Sequence, residues 1–208
     1  MPFINFSKDE IQCKIVYYGA GFCGKTTNLQ YIYGQTIEDI KGKMVSIDTK
    51  GDRTLFFDFL SLSLGKIRGF DIRVQLYTVP GQVHYDATRK LVLKGVDGVV
   101  FVADSLKVQR KKNIESLINL AKNLAEKGVS IRTVPLVLQY NKRDLDGTDS
   151  EILPVEVLEK DLNSMLKVPS FPASAVKGTG VFETLREISK LVVKDVSRKI
   201  MLLDKQAK

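Results

Sequence analysis

GAGFCGKT, residues 19–26, joins an apolar run that reads as a strand (QCKIVYYG, 12–19) to a stretch that reads as a helix (KTTNLQYIY, 25–33). The eight residues fit G-x-x-x-x-G-K-[ST], and each restricted position suits the binding of phosphate. Glycines, lacking a Cβ, let successive backbone N–H groups turn inward and wrap an anion. The helix that follows adds unpaired N–H groups and the positive end of its dipole. Lys25 can reach the outer phosphates of a nucleotide, and the Thr26 hydroxyl can ligate magnesium. Four restricted positions would coincide by chance in roughly one chain of this length in a hundred. The candidate phosphate site is therefore Gly19, Ala20, Gly21, Phe22, Cys23, Gly24, Lys25, Thr26 and Thr27.

Beyond this loop, short apolar runs alternate with helix-period stretches. LFFDFLSLSL (55–64) and FDIRVQLYTV (70–79) flank GKIRG (65–69) and read as a hairpin. DGVVFVADS (97–105) and VPLVLQYN (134–141) are apolar runs bounded by turn residues, as buried parallel strands tend to be. Helices are expected near 83–94, 108–127, 154–166 and 180–200, with short strands at 44–48 and near 170–174. The pattern predicts an α/β fold: a mostly parallel central sheet, an antiparallel hairpin strand, and helices on both faces. Ligands of such sheets sit at the carboxyl ends of the strands, and the phosphate loop and the motifs that follow all fall at such ends.

At 208 residues the chain suits a single domain over 1–208. No apolar run reaches the roughly 18 residues of a membrane span, and MPFINFSKDE lacks a signal peptide's layout. A cytoplasmic protein is expected. Cys13 and Cys23, without partners at metal spacing, are expected to be reduced packing residues. The net charge of +8 favours acidic partners. Its densest cluster, KVQRKK (107–112), has no interleaved aromatics, so a solvated helix start is expected and nucleic-acid binding is not. DKQAK at the C-terminus is not a prenylation signal and Met1-Pro2 cannot be myristoylated. Membrane recruitment would then run through a partner or weak electrostatics.

A phosphate loop alone admits ATPases and small-metabolite kinases. Asn141-Lys142-Arg143-Asp144, after the strand at 134–140, narrows the base. Guanine offers N1–H and N2–H₂ side by side, and one carboxylate, Asp144, can accept from both. Adenine would leave that carboxylate buried and unpaired, a mismatch worth orders of magnitude in affinity. Asn141 would tie this loop to the phosphate loop, and the Lys142 stem would cover the base. SAVKG, with Ser174, Ala175 and Val176, would supply a backbone N–H to the guanine O6, that of Ala175 being the candidate.

GAGFCGKT, TVPGQ, NKRD and SAVK, in this order and over nearly the whole chain, resemble the Ras-like small GTPases. KIVYYGAGFCGKTTNLQYIY, DRTLFFDFL, YTVPGQVHYDATRKLVLKGVDGVVFVADS and QYNKRDL resemble, more narrowly, the bacterial MglA family of polarity GTPases. The resemblance implies a P-loop NTPase fold of the Ras-like G-domain type, with GTP/GDP and Mg²⁺ as its ligands. It implies a roadblock-domain activating protein (MglB-like) and polarity, gliding or pilus effectors. It also implies a chain that is monomeric alone and enriched at a cell pole when GTP-bound.

In TVPGQ, Gln82 is placed to orient an attacking water, and the Gly81 N–H to meet the γ-phosphate. Charge developing at the leaving phosphate needs a cation, for which Arg53 is the candidate, and the neighbouring Thr54 could bind γ-phosphate and magnesium. The family resemblance assigns Arg53 as a built-in arginine finger and Thr54 as the switch threonine. Thr78 stands where Ras-like proteins carry an Asp that bonds a magnesium-bound water. A weaker hold on magnesium is expected, with Asp52 able to lend charge. A scaffold that binds GTP without turning it over stays open on these residues. His84 is expected to be a surface contact, Asp97 and Asp104 turn residues, and strand 55–64, apolar on both faces, weakly fixed in register.

Overall fold

Residue alternation in Glu10–Tyr18 (β2) places this strand at the centre of the sheet: Cys13, Ile15 and Tyr17 enter one core, Val16 and Tyr18 the other. The computed structural model describes residues 3–5, 7–48, 56–67, 69–82 and 85–206. Around β2 lie Phe3–Asn5 (β1), Val45–Asp48 (β3), Phe56–Ile67 (β4), Phe70–Thr78 (β5), Gly98–Asp104 (β6), Leu136–Asn141 (β7) and Ser170–Pro172 (β8). They form one sheet in the order β3-β4-β5-β2-β6-β7-β8, with β1 beside β2. The ladders β5–β2, β2–β6, β6–β7 and β7–β8 are parallel. Those of β1–β2, β3–β4 and β4–β5 are antiparallel.

Helices cover both faces, as alternating apolar strands and amphipathic helices require. Lys25–Gln35 (α1) and Val181–Gln206 (α5) bury Leu29, Ile32, Ile188 and Val192 on one face. Asp86–Val92 (α2), Arg110–Ala125 (α3) and Val155–Leu158 (α4) bury Val92, Leu120, Leu124 and Leu158 on the other. Strands β6 and β7 are buried at every residue, which is why their sequences run apolar without alternation.

Several boundaries differ from expectation for identifiable reasons. The hairpin does not turn over GKIRG: β4 continues to Ile67 because the register shifts between Ser63 and Lys66, where Gly65 takes a left-handed φ of 84°. Strand β1 is too short to show a period and has no counterpart among the expected elements. The helix expected over 83–94 is described only from Asp86, and that over 154–166 passes from α4 into a π-helical turn, Glu159–Asn163. Lys107–Gln109 is a 3₁₀ turn ahead of α3, and its basic cluster is exposed and partnered by acids, Lys107 to Glu151 and Arg110 to Asp161. Cys13 and Cys23 are free and buried. Burial, with Asp97 adding, pushes the Cys13 thiol up to about 12. Among the described residues no helix is long and apolar enough to cross a membrane.

Candidate functional site

The phosphate loop leaves β2 at Tyr18 and re-enters the helical register at Lys25, with Gly24 between them in a left-handed conformation (φ 97°). A Cβ on Gly24 would lie 2.2 Å from the Asn141 Nδ2, so the loop can sit against Asn141 only with glycine there. Lys25, buried at the first turn of α1, donates through Nζ to the carbonyls of Gly19 (3.0 Å) and Ala20 (2.7 Å). Beneath the loop, Gln139 of β7 donates to Asn28 of α1 (3.0 Å) and Thr184 of α5 (3.1 Å), a buried polar tie among three elements. Phe22 is left-handed (φ 62°) and 84% exposed, the one large apolar side chain that the loop turns outward.

At the carboxyl end of β7, both ends of the Asn141 amide are used. Its Nδ2 donates to the Cys23 carbonyl (2.8 Å) and its Oδ1 accepts the Ala175 N–H (2.8 Å). One side chain thus binds the phosphate loop to the loop after β8. The tie to the phosphate loop matches expectation; the second bond does not, and it commits the Ala175 N–H that the sequence offers to guanine. Ser174, buried, caps its own turn by accepting the Lys177 N–H (3.1 Å), and Val176 is exposed. Lys142 is left-handed (φ 69°), and its Nζ pairs at 2.6 Å with the Asp104 carboxylate at the end of β6. Asp104 also accepts the Leu106 N–H at 3.0 Å. It is more than a turn residue: it fixes the stem of Lys142. Asp144 lies half-buried in the 3₁₀ turn Arg143–Leu145.

The opposite wall of the site is the carboxyl end of β5. Gly81 packs on the phosphate loop so closely that a Cβ there would lie 2.3 Å from the Gly21 nitrogen and 2.5 Å from the Ala20 oxygen. Gln82 is exposed, and its Cγ would lie 3.9 Å from a Cβ on Gly21. Its backbone is gripped from below: Arg89 Nη1 donates to the Gln82 carbonyl (2.6 Å) and the Pro80 carbonyl (3.4 Å). Arg89 is 5% exposed and also reaches Asp86 Oδ1 at 3.1 Å. Asp86 further accepts from Asn119 (2.9 Å) and Asn123 (3.0 Å) of α3 and pairs with Lys90. Burial would raise the Asp86 pKa, but the bonds from Asn123, Asn119, Lys90 and Arg89 outweigh it and hold the carboxyl well below its usual range.

Thr78, at the end of β5, is buried and bonded to Asp58 of β4: it accepts the Asp58 N–H (2.8 Å) and donates to Asp58 Oδ2 (3.0 Å). Thr26 donates to the same oxygen at 2.5 Å. Asp58 is a site residue that the sequence reading does not include, although its signal is legible: one carboxylate inside the otherwise apolar LFFDFLSLSL. The oxygens of Thr26, Thr78 and Asp58 fit a hard cation such as Mg²⁺, which binds through few protein ligands and keeps its remaining places for phosphate and water. No group of three or more His, Cys, Asp and Glu able to hold a metal occurs among the described residues. Arg53, Thr54, Asp52 and His84 lie outside the described residues.

Residues 3–192 match the family model of the ADP-ribosylation factor family. Over 198 residues the chain is 58% identical to the mutual gliding-motility protein MglA of Myxococcus xanthus, covering 95% of this chain and 99% of that protein. It is 26% identical over 185 residues to human ADP-ribosylation factor-like protein 4C, covering 86% of each. An uncharacterized protein of Methanocaldococcus jannaschii, MJ1339, is 27% identical over 143 residues, covering 69% of this chain and 77% of that one.

Proposed function

We propose, from the premise that this chain belongs to the ADP-ribosylation factor family of small GTPases and hydrolyses GTP to GDP, that it times a polarity signal in a motile bacterium. Slow hydrolysis sets the lifetime of the GTP-bound, effector-binding state, and an activating protein shortens it. The observation that carries this reading is the Asn141 amide bridging the phosphate loop and the loop after β8. This supports a phosphate cradle and a base pocket joined through one side chain, as a nucleoside triphosphate would need.

Gly19 to Thr27 wrap the phosphates, with Lys25 directed to the β/γ oxygens. Asp144 accepts the guanine N1–H and N2–H₂, Lys142 covers the base, and Ser174, Ala175 and Val176 close the pocket. The Ala175 N–H, the donor proposed for the guanine O6, is bonded to Asn141. Gln82 orients the attacking water, and Gly81 presents its N–H to the γ-phosphate. The Arg89 bond to the Gln82 carbonyl fixes where that glutamine starts. Arg53 offsets charge at the leaving phosphate, and Thr54 closes on the γ-phosphate. Bound through Thr26 and Thr54, Mg²⁺ would neutralise charge between the β- and γ-phosphates.

The partners of this reading are a roadblock-domain activator (MglB-like) and polarity, gliding or pilus effectors. On this reading residues 1–208 fold as one G domain that acts as a cytoplasmic monomer, gathered at a pole in its GTP state by those partners. Single-turnover hydrolysis of bound GTP, with and without the activator, tests it. Acceleration by the activator is expected. GTP that stays bound and intact in both reactions would instead make the protein a scaffold.

A further inference from the structure

A threonine at position 78 leaves the phosphate site without the acid that a magnesium-bound water would face from β5, yet a carboxylate is present there. It comes from the neighbouring strand. Asp58 lies one residue beyond the Phe59–Tyr77 pair of the β4–β5 ladder, on the face that also carries buried Leu60 and Leu62. That face looks onto α1, whose first turn holds Thr26. A carboxylate only 9% exposed among apolar neighbours is costly unless hydrogen-bonded. Here Oδ2 receives both threonine hydroxyls, Thr26 at 2.5 Å and Thr78 at 3.0 Å, while the Asp58 N–H bonds back to Thr78 at 2.8 Å.

We infer that Asp58 is the acid of the magnesium site, taking from β4 the place that a carboxylate at position 78 would fill, and that Thr78 is the clamp that holds it there. The inference rests on the magnesium role given to Thr26 above. With its proton committed to Asp58, the Thr26 hydroxyl keeps its lone pairs for a cation, and the carboxylate makes that oxygen a better ligand. Thr78 is then no weakened copy of an aspartate. Its hydroxyl donates and accepts at once, which an Asp in its place could not do toward a second carboxylate. Asp58 is a positioning residue, acting on the metal through Thr26.

The alternative is a tie that merely joins α1 to β4. Asp58→Asn separates the two, because an amide keeps a hydrogen-bond acceptor and loses the charge. The measurement is the release rate of a fluorescent GDP analogue as free magnesium chloride is titrated from chelated to saturating. In the wild type, magnesium slows release with a defined midpoint. Asp58→Asn should move that midpoint about 10- to 100-fold upward. Thr78→Val should move it in the same direction, and Asp58→Asn with Thr78→Asp should bring it back. A wild-type midpoint retained in Asp58→Asn overturns the inference. If Asp58→Asn does not fold, an unmoved midpoint in Thr78→Val overturns it equally. Wild-type release that ignores magnesium removes the metal reading itself, a distinct result.

Discussion

The two ends of the nucleotide site are built differently. At the base end, Asn141, Lys142 and Asp104 stand on β6 and β7, strands buried throughout and paired in parallel, or at their ends. The bonds of Asn141 and Asp104 to Cys23, Ala175 and Leu106 are to the backbone. At the hydrolytic end, Asp58 and Thr78 stand on antiparallel strands toward the sheet edge, and the bond from Asp58 to the phosphate loop, at Thr26, runs between two side chains of separate elements. A side chain bonded to backbone needs only its own identity kept, because its partner is present whatever residue stands there. Side-chain contacts between separate elements can be made and unmade. On the proposed function, base selection would then rest on the frame of the fold, and the rate of hydrolysis on contacts open to rearrangement by an activator.

The largest effect should come from the hydrolytic end. Arg53→Ala is expected to lower activator-stimulated turnover by about 10³–10⁵, or roughly 4–7 kcal/mol, with GDP affinity retained. Single-turnover kinetics beside a GDP titration read this. Equal losses in both would erase the contrast between the ends. Next, Asn141→Ala leaves the Cys23 carbonyl and the Ala175 N–H without that partner, at about 1–3 kcal/mol each. Denaturant unfolding of the nucleotide-free protein should show it, and a loss well under about 1 kcal/mol would mean that the base end is held by something else.

A smaller effect is expected from Gly81→Ala, whose added carbon meets the backbone of Gly21 and Ala20 and must push the two loops apart. A displacement of this size should slow hydrolysis about 100-fold and barely alter the discrimination of GDP from ADP. A matching loss of base discrimination would show the two ends to be coupled. The smallest effect concerns Asp86, whose folded pKa is held below its unfolded value near 3.9. Its contribution to stability is therefore fully present above about pH 4 and is lost as pH falls through the folded pKa. The stability curves of wild type and Asp86→Asn should run apart at neutral pH and converge in acid. Parallel curves down to about pH 2 would mean that the Asn119, Asn123, Lys90 and Arg89 bonds do not favour the ionised form.

The base end is legible in the sequence because its chemistry is local. GAGFCGKT and NKRD each hold their candidate residues within a few positions, next to apolar runs long enough to read as buried strands. The tie made by Asn141 follows from chemistry, but its second bond, to Ala175, depends on where β8 lies. Asp104 reads as a turn residue because a short acidic side chain at a strand end usually is one, and its ion pair with Lys142 joins positions separated by a whole strand and helix. Asp58 escapes a sequence reading for a related reason. The sequence shows one polar residue in an apolar strand, but only the hairpin register brings it to Thr78, and only the packing of α1 brings it to Thr26. The bulge at Gly65 hides that register, since a turn over GKIRG would pair the strands differently.

The Asp58–Thr78 pair also restricts which mutations the chain can accept. Restoring an aspartate at position 78 looks like a return to the common Ras-like pattern. With Asp58 present it would set two carboxylates within hydrogen-bonding distance, and both could not stay ionised. Removing Asp58 alone would strip the site of its charge. Drift from one arrangement to the other must therefore pass through a crippled intermediate or change both positions together. In lineages related to this chain, an acid at either position should predict a neutral residue at the other.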